Sequence, residues 1–166
     1  VKPLRIMSAE NLMTPPEATR AAYVTGNLDS KDPQLVDGRV INIQFYDELG
    51  HSYTADFKIV QDATNKHEYT VALQDIKDED GKSILINETV NADGTVNYSM
   101  KNGMSVDIGG TAYNTVGADG KLLFGGPKLY FNAGDGSFKS IGDENANQNS
   151  ISFMINGLDP NPFREI

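Results

Sequence analysis

The sequence predicts an all-β chain: an antiparallel β-sandwich or partly open β-barrel preceded by an extended N-terminal arm. Two observations carry that prediction. From Arg39 onward, apolar residues recur with a period of two, the signature of strands with one buried and one wet face. Between the runs lie Asp80-Gly81, Asp93-Gly94, Asn102-Gly103, Asp119-Gly120 and Asp135-Gly136. Asx-Gly pairs tolerate positive φ and are a strong short hairpin signal, and several of them between short strands point to a sandwich or barrel.

Residues 1–36 read as the arm or an interdomain linker. Pro3, Pro15, Pro16 and Pro33 fix their own φ and bias each preceding residue toward extended conformations. Residues 17–24 fit a short helix after Pro16. The β-branched Thr19, Val24 and Thr25 before Gly26 make an extended run equally plausible. Val1-Lys2-Pro3 has neither an initiator methionine nor an apolar leader, and the end at Glu165-Ile166 is abrupt, so a piece of a longer chain is expected.

Residues 37–166 read as the β domain, with a possible subdivision near residue 100. Ile41, Ile43 and Phe45 share one face, with Asn42 and Gln44 on the other. After a turn at 47–50, Tyr53, Ala55, Phe57 and Ile59 alternate with Thr54, Asp56, Lys58 and Val60. Tyr69, Val71 and Leu73 continue the pattern against Thr70 and Gln74. Later strands are expected at 84–90, 95–100, 121–124, 128–132 and 150–155. The glycine-rich stretch 103–126 has no clear pairing, and 142–149 is a polar surface loop.

The chain of 166 residues fits one ordinary domain, and at that size folding buries roughly 70% of the extended chain's surface. It has no cysteine and two histidines, which excludes disulfides, thiolate sites and multi-histidine metal sites. A net charge of −9 argues against nucleic acid and against an anionic membrane surface. No apolar run reaches the roughly 20 residues that span a bilayer.

Candidate chemistry is sparse. Aligning Gly81 with the invariant glycine of an EF-hand loop puts Ile76 and Asn87 where oxygen ligands and a bidentate glutamate are required, so residues 75–81 read as a solvated turn. Asp47-Glu48 and Asp143-Glu144 are adjacent loop carboxylates, without evidence of the spacing that glycoside hydrolysis needs. His51 and His67 lack a Gly-x-Ser-x-Gly partner and read as exposed turn residues. No phosphate loop accompanies Gly109-Gly110, Gly125-Gly126 or Gly134-Asp135-Gly136. Asn87-Glu88-Thr89 and Asn97-Tyr98-Ser99 match the glycosylation triplet, a weak signal. Tyr46, Tyr53, Tyr69 and Tyr98 are assigned to packing. No catalytic, cofactor-binding or metal-ligating residue is expected, and the chain is not expected to be an enzyme.

Pro15-Pro16-Glu17-Ala18-Thr19, then Gly26-Asn27-Leu28-Asp29, then Phe45-Tyr46-Asp47-Glu48-Leu49-Gly50-His51-Ser52-Tyr53 resemble the bacterial flagellar hook protein in order and spacing. Asp119-Gly120-Lys121-Leu122 is similar to a downstream strand entry of that family, and residues 151–159 loosely echo its closing strand. Glu48-Leu49 stand where the family more commonly has Ser-x, leaving the turn chemistry to Asp47 and Gly50. The resemblance implies an outer β domain of a subunit exported by the flagellar secretion apparatus without a cleaved signal peptide. Such subunits polymerise, through terminal helical segments not included here, into a helical tube that joins motor to filament. The partners implied are copies of itself and other flagellar axial proteins, with the isolated piece monomeric. Gln44, Asp56, Lys58, Thr70 and Gln74 are the expected wet-face residues. The alternative is a β-sandwich binding module of a surface adhesin or carbohydrate-binding protein, which would require exposed aromatics or calcium.

Overall fold

The computed structural model describes residues 18–19, 31–123, 125–163 and 166. One helical turn, α1 (Gln34–Asp37), leads into a long hairpin, β1 (Arg39–Tyr46) and β2 (Ser52–Gln61), and then β3 (Glu68–Lys77). A short hairpin follows, β4 (Ile86–Val90) and β5 (Val96–Met100), then β6 (Ser105–Ile108) and β7 (Thr111–Tyr113). The remaining strands are β8 (Lys128–Phe131), β9 (Phe138–Ile141) and β10 (Phe153–Asn156). All pairings are antiparallel, in three sheets ordered β1-β2-β3-β8-β9, β10-β6-β7 and β4-β5. The first sheet is curled like half a barrel, and the expected all-β architecture is what the chain adopts.

The alternation in β1 and β2 places side chains as the period predicts. Phe45, Ala55 and Ile59 are buried, while Asn42 and Gln44 face water. In β3 the period breaks. Asp56 pairs with Asp75 but Phe57 pairs with Leu73, so Gln74 is an extra residue in a β-bulge. Leu73 and Ile76 therefore both enter the core, although they are three positions apart. Bulges bend the strand that carries them, which suits a curled sheet.

The concave face is covered twice. At one end, α1 lays Leu35 against Ile59 and Tyr69, with Leu129 and Phe131 packed alongside. At the other, Phe45, Ala55, Leu73 and Ile76 meet Val106, Ile108 and Ile155 of the three-stranded sheet. Phe153 stands edge-on to both Phe45 and Phe57, 6.0 and 6.3 Å between centroids. Residues on both sides of position 100 share this second cluster. Each fully buried aliphatic side chain there contributes about 1.5–3 kcal/mol of transfer free energy.

Each of the five Asx-Gly pairs lies at a turn, with glycine φ between 71° and 83°. Several expectations need correction. Residues 121–123 do not form a strand, and Phe124 lies outside the described residues: Leu122 makes one isolated bridge to Val116, and Gly125-Gly126-Pro127 supplies neither side chains nor a full set of donors to extend it. The expected strand at 84–90 begins at Ile86 instead, because the preceding bend follows the Lys77–Ser83 bridge. Asp75, Ile76 and Lys77 belong to β3, so the turn starts only at Asp78. The stretch without clear pairing contains β6 and β7, turned by Gly109-Gly110. β9 and α1 also went unread, being four residues each. Residues 142–149 form the exposed loop expected.

Candidate functional site

The best-defined polar constellation lies at one pole of the molecule, on the β1–β2 turn. Asp47 begins that turn and Gly50, at φ 87°, closes it with an N–H to Asp47 O bond of 3.1 Å. The Asp47 carboxylate is only 1% exposed. Its Oδ1 accepts the amides of Leu49 (2.8 Å) and His51 (3.0 Å). Its Oδ2 accepts the Tyr53 hydroxyl at 3.0 Å and lies 3.0 Å from His51 Nδ1. Burial pushes this carboxyl up, but the hydrogen bonds from His51, Tyr53 and Leu49 outweigh it and hold it below the ordinary 3.8. Burial, together with the hydrogen bond to Asp47, pushes the Tyr53 phenol up to about 12.

Four donors converging on one carboxylate lock a turn. His51 is oriented by a carboxylate, as a general base would be, and its side chain is 57% exposed. The Tyr53 hydroxyl, however, donates to Asp47, and catalysis would need an activated nucleophile within reach of His51. Asp47-Glu48 is no carboxylate pair for sugar chemistry either, because Asp47 is enclosed by its own turn. His67 is half-buried, where an exposed turn residue was expected. Tyr46, assigned to packing, is 44% exposed, since the strand alternation turns it away from the core that holds Phe45.

Two other segments dock at this pole. Ala18 is buried, the Thr19 amide donates to Tyr46 O (2.9 Å), and the Tyr46 amide donates to Thr19 Oγ1 (2.8 Å). From the far end of the chain, Pro162 O accepts the Glu48 amide at 2.9 Å, and Phe163 packs edge-on to Tyr53 with 4.8 Å between centroids. Pro15-Pro16, Gly26-Asn27-Leu28-Asp29 and the rest of residues 17–24 lie outside the described residues. An open cleft of about 350 Å³ lies beside Phe163, lined by Tyr53, Ile84, Lys101, Asn102, Met104 and Leu158 among others. That is near the lower limit for small-molecule sites, and the Lys101 ammonium already donates to Ser83 O at 2.9 Å.

The convex face of the curled sheet carries the expected wet-face residues, but only Gln44 is exposed, and Asp56, Lys58, Thr70 and Gln74 are half-buried. Asn42, Asp56 and Asp75 form one row across β1, β2 and β3. Lys77 Nζ lies 3.0 Å from Asp56 Oδ2, and Asn42 Nδ2, with its amide oriented to donate, reaches Asp56 Oδ1 at 3.0 Å. Asp75 Oδ1 accepts the Ser83 hydroxyl at 2.6 Å and the Ile76 amide at 2.7 Å. Burial raises the Asp75 carboxyl above 3.8, Asp56 adds to the rise, and the Ser83, Ile76 and Lys77 interactions offset part of it. No sequence signal marks Asp75 or Ser83, because the bulge that brings them together adds one residue without a motif.

Among the described residues, no group of three or more His, Cys, Asp or Glu side chains is arranged to hold a metal. No helix among them is long and apolar enough to cross a membrane. Neither a protein-family model, nor a curated protein, nor a solved structure matches the chain.

Proposed function

We propose that this chain is an outer β domain of a flagellar hook-type axial protein, a structural module that is exported and functions outside the cell. The resemblance within residues 15–53 suggests the reading. The observation that carries it is the convergence at one pole. Residues 18–19 and 162–163 both dock at the β1–β2 turn, so the segments leading into and out of the β body lie together. A domain held outward from a tube by flanking segments requires that arrangement. The mechanical role follows from it: a stiff β module offers polar faces to copies of itself, and heterologous contacts that do not close generate helical assemblies. The −9 charge keeps isolated copies apart in solution, leaving polymerisation to the flanking segments.

The test uses the longer chain carrying its flanking segments, expressed in cells that lack their own hook protein. Electron microscopy of assembled hooks and recovery of swimming are the expected outcome, while the 166-residue piece alone sediments as a monomer. Export without assembly, combined with specific glycan binding by the piece, would overturn the reading in favour of an adhesin module.

A further inference from the structure

Asparagine followed by glycine occurs at two places in the chain, Asn102-Gly103 and Asn156-Gly157. Such a pair carries its own electrophile and its own nucleophile. A backbone rotation brings the nitrogen of the second residue onto the side-chain amide carbon of the first, and glycine has no Cβ to shield that nitrogen. The fold treats the two pairs differently.

Asn102 and Gly103 are the central residues of the turn from β5 to β6, which is closed by the Met104 amide donating to Lys101 O at 3.0 Å. Both are exposed. Among the described residues, nothing accepts a hydrogen bond from the Gly103 amide. A Cβ built on Gly103 would meet no atom within 4 Å, so the turn has room to rearrange. Asn156, by contrast, ends β10 and pairs with Ser105 of β6, beside the buried Ile155 and Val106. Strand pairing resists the rotation that would bring the Gly157 nitrogen onto the Asn156 side chain. A Cβ on Gly157 would also collide with the Gly103 carbonyl and Met104 Cα, so the backbone there is hemmed in. That crowding involves the carbonyl of Gly103, whereas the nucleophile is its amide nitrogen, in the preceding peptide unit.

We propose that Asn102-Gly103 is a self-modification site, converted to aspartate and isoaspartate through a cyclic imide with water as co-reactant, while the fold protects Asn156-Gly157. Hydroxide removes the Gly103 amide proton, and the nitrogen attacks Asn102 Cγ. The N–Cγ bond forms, the Cγ–Nδ2 bond breaks, and Nδ2 leaves as ammonia with a proton from water. Water then opens the imide. Cleavage at Cγ leaves aspartate, and cleavage at the backbone carbonyl carbon leaves isoaspartate. Nothing is oxidised or reduced: an amide and water become a carboxylate and an ammonium ion.

The product alters the open cleft beside Phe163, which Asn102 lines together with Lys101, Met104 and Leu158. A neutral amide there becomes a carboxylate next in sequence to Lys101, on a chain already at −9. Isoaspartate also lengthens the backbone of the turn against which Gly157 rests.

The test incubates the 166-residue chain at mildly alkaline pH, both folded and in concentrated urea, and maps its peptides by mass spectrometry after digestion at acidic pH. In the folded chain Asn102 should convert at least about tenfold faster than Asn156, because its turn opens at lower local cost than the strand pair. In urea the two rates should come within about threefold of each other, since the fold no longer separates them. Asn102→Gln should stay unmodified at that position, its larger ring closing slowly, while Asn156 behaves as before. The proposal is overturned if Asn102 persists in the folded chain, if the two pairs convert there at equal rates, or if urea leaves their ratio unchanged.

Discussion

Asp47, at the β1–β2 turn, and Asp75, beside the root of the β4–β5 hairpin, are both withdrawn from water on the same curled sheet, yet their proton affinities move in opposite directions. Asp47 is the less solvent-accessible of the two, and it is the one held low. It receives two turn amides, a tyrosine hydroxyl and a histidine nitrogen. Asp75 receives one hydroxyl and one amide, and faces another carboxylate. Burial raises a carboxyl in both places, more strongly at Asp75, where fewer donors offset the rise. The turn is built to keep a charge. The hairpin root holds one at a cost.

The largest expected effect comes from removing the better-served carboxylate. Asp47→Ala leaves the Leu49 and His51 amides and the Tyr53 hydroxyl without their acceptor, and should destabilise the chain by about 2–4 kcal/mol in urea unfolding. A loss below about 1 kcal/mol would mean that water replaces the carboxylate easily and that the turn is not locked by it. Next, Tyr53→Phe removes one donor and should cost about 1–1.5 kcal/mol, with Asp47 titrating closer to 3.8 in the variant.

The two aspartates should also separate on the pH axis. The Asp47 pKa is lowered by folding, so its contribution is complete above the unfolded value near 3.8 and is lost as pH falls through the lower folded value. The Asp75 pKa is raised, so ionised Asp75 weakens the fold at neutral pH, and stability recovers as pH falls through its folded value toward 3.8. Asp75→Asn should therefore gain about 0.5–1 kcal/mol at neutral pH, and that gain should vanish near pH 4. A variant less stable than wild type at neutral pH would show that the charge is better compensated than its partners suggest. At the alkaline end, Tyr53 should titrate at about 12 in ultraviolet absorbance. Its contribution to stability should fade as pH rises from 10 to about 12.

The smallest effect contrasts both aspartates with a buried polar group that no described residue serves. Ser140 Oγ on β9 is fully buried and has no hydrogen-bond partner among the described residues. Ser140→Ala should be neutral or stabilising by up to about 1 kcal/mol in thermal unfolding. Destabilisation would point to a hidden partner.

How much of this was legible in the sequence follows the range of the interactions. The β1–β2 hairpin was read almost residue by residue, because period-two alternation and an Asp-x-x-Gly turn are local signals. The turn role of Asp47 and Gly50 was legible for the same reason. Its depth was not: Asp47 is enclosed with the help of Tyr53 from the next strand, and the neighbouring Glu48 amide is held by Pro162 from the far end of the chain. β6, β7 and β9 were missed because three or four residues make too short a period, and their pairing is settled by neighbours that sequence order does not name. The 121–124 error has the opposite cause, an apolar run whose extension is blocked by the glycines and proline after it.

Composition and local pattern thus determined an acidic, cysteine-free, antiparallel β chain with glycine at its turns, since backbone preference and amphipathic alternation act over a few residues. Tertiary structure alone decided the rest. The bulge at Gln74 turned Ile76 inward and set Asp75 against Asp56 and Ser83. Two covers, α1 and the three-stranded sheet, closed one concave face from its two ends. Residues 18–19 and 162–163 met at one turn, through hydrogen bonds and ring packing between residues far apart in sequence. Such placements depend on which surfaces meet in space, and no local pattern records that.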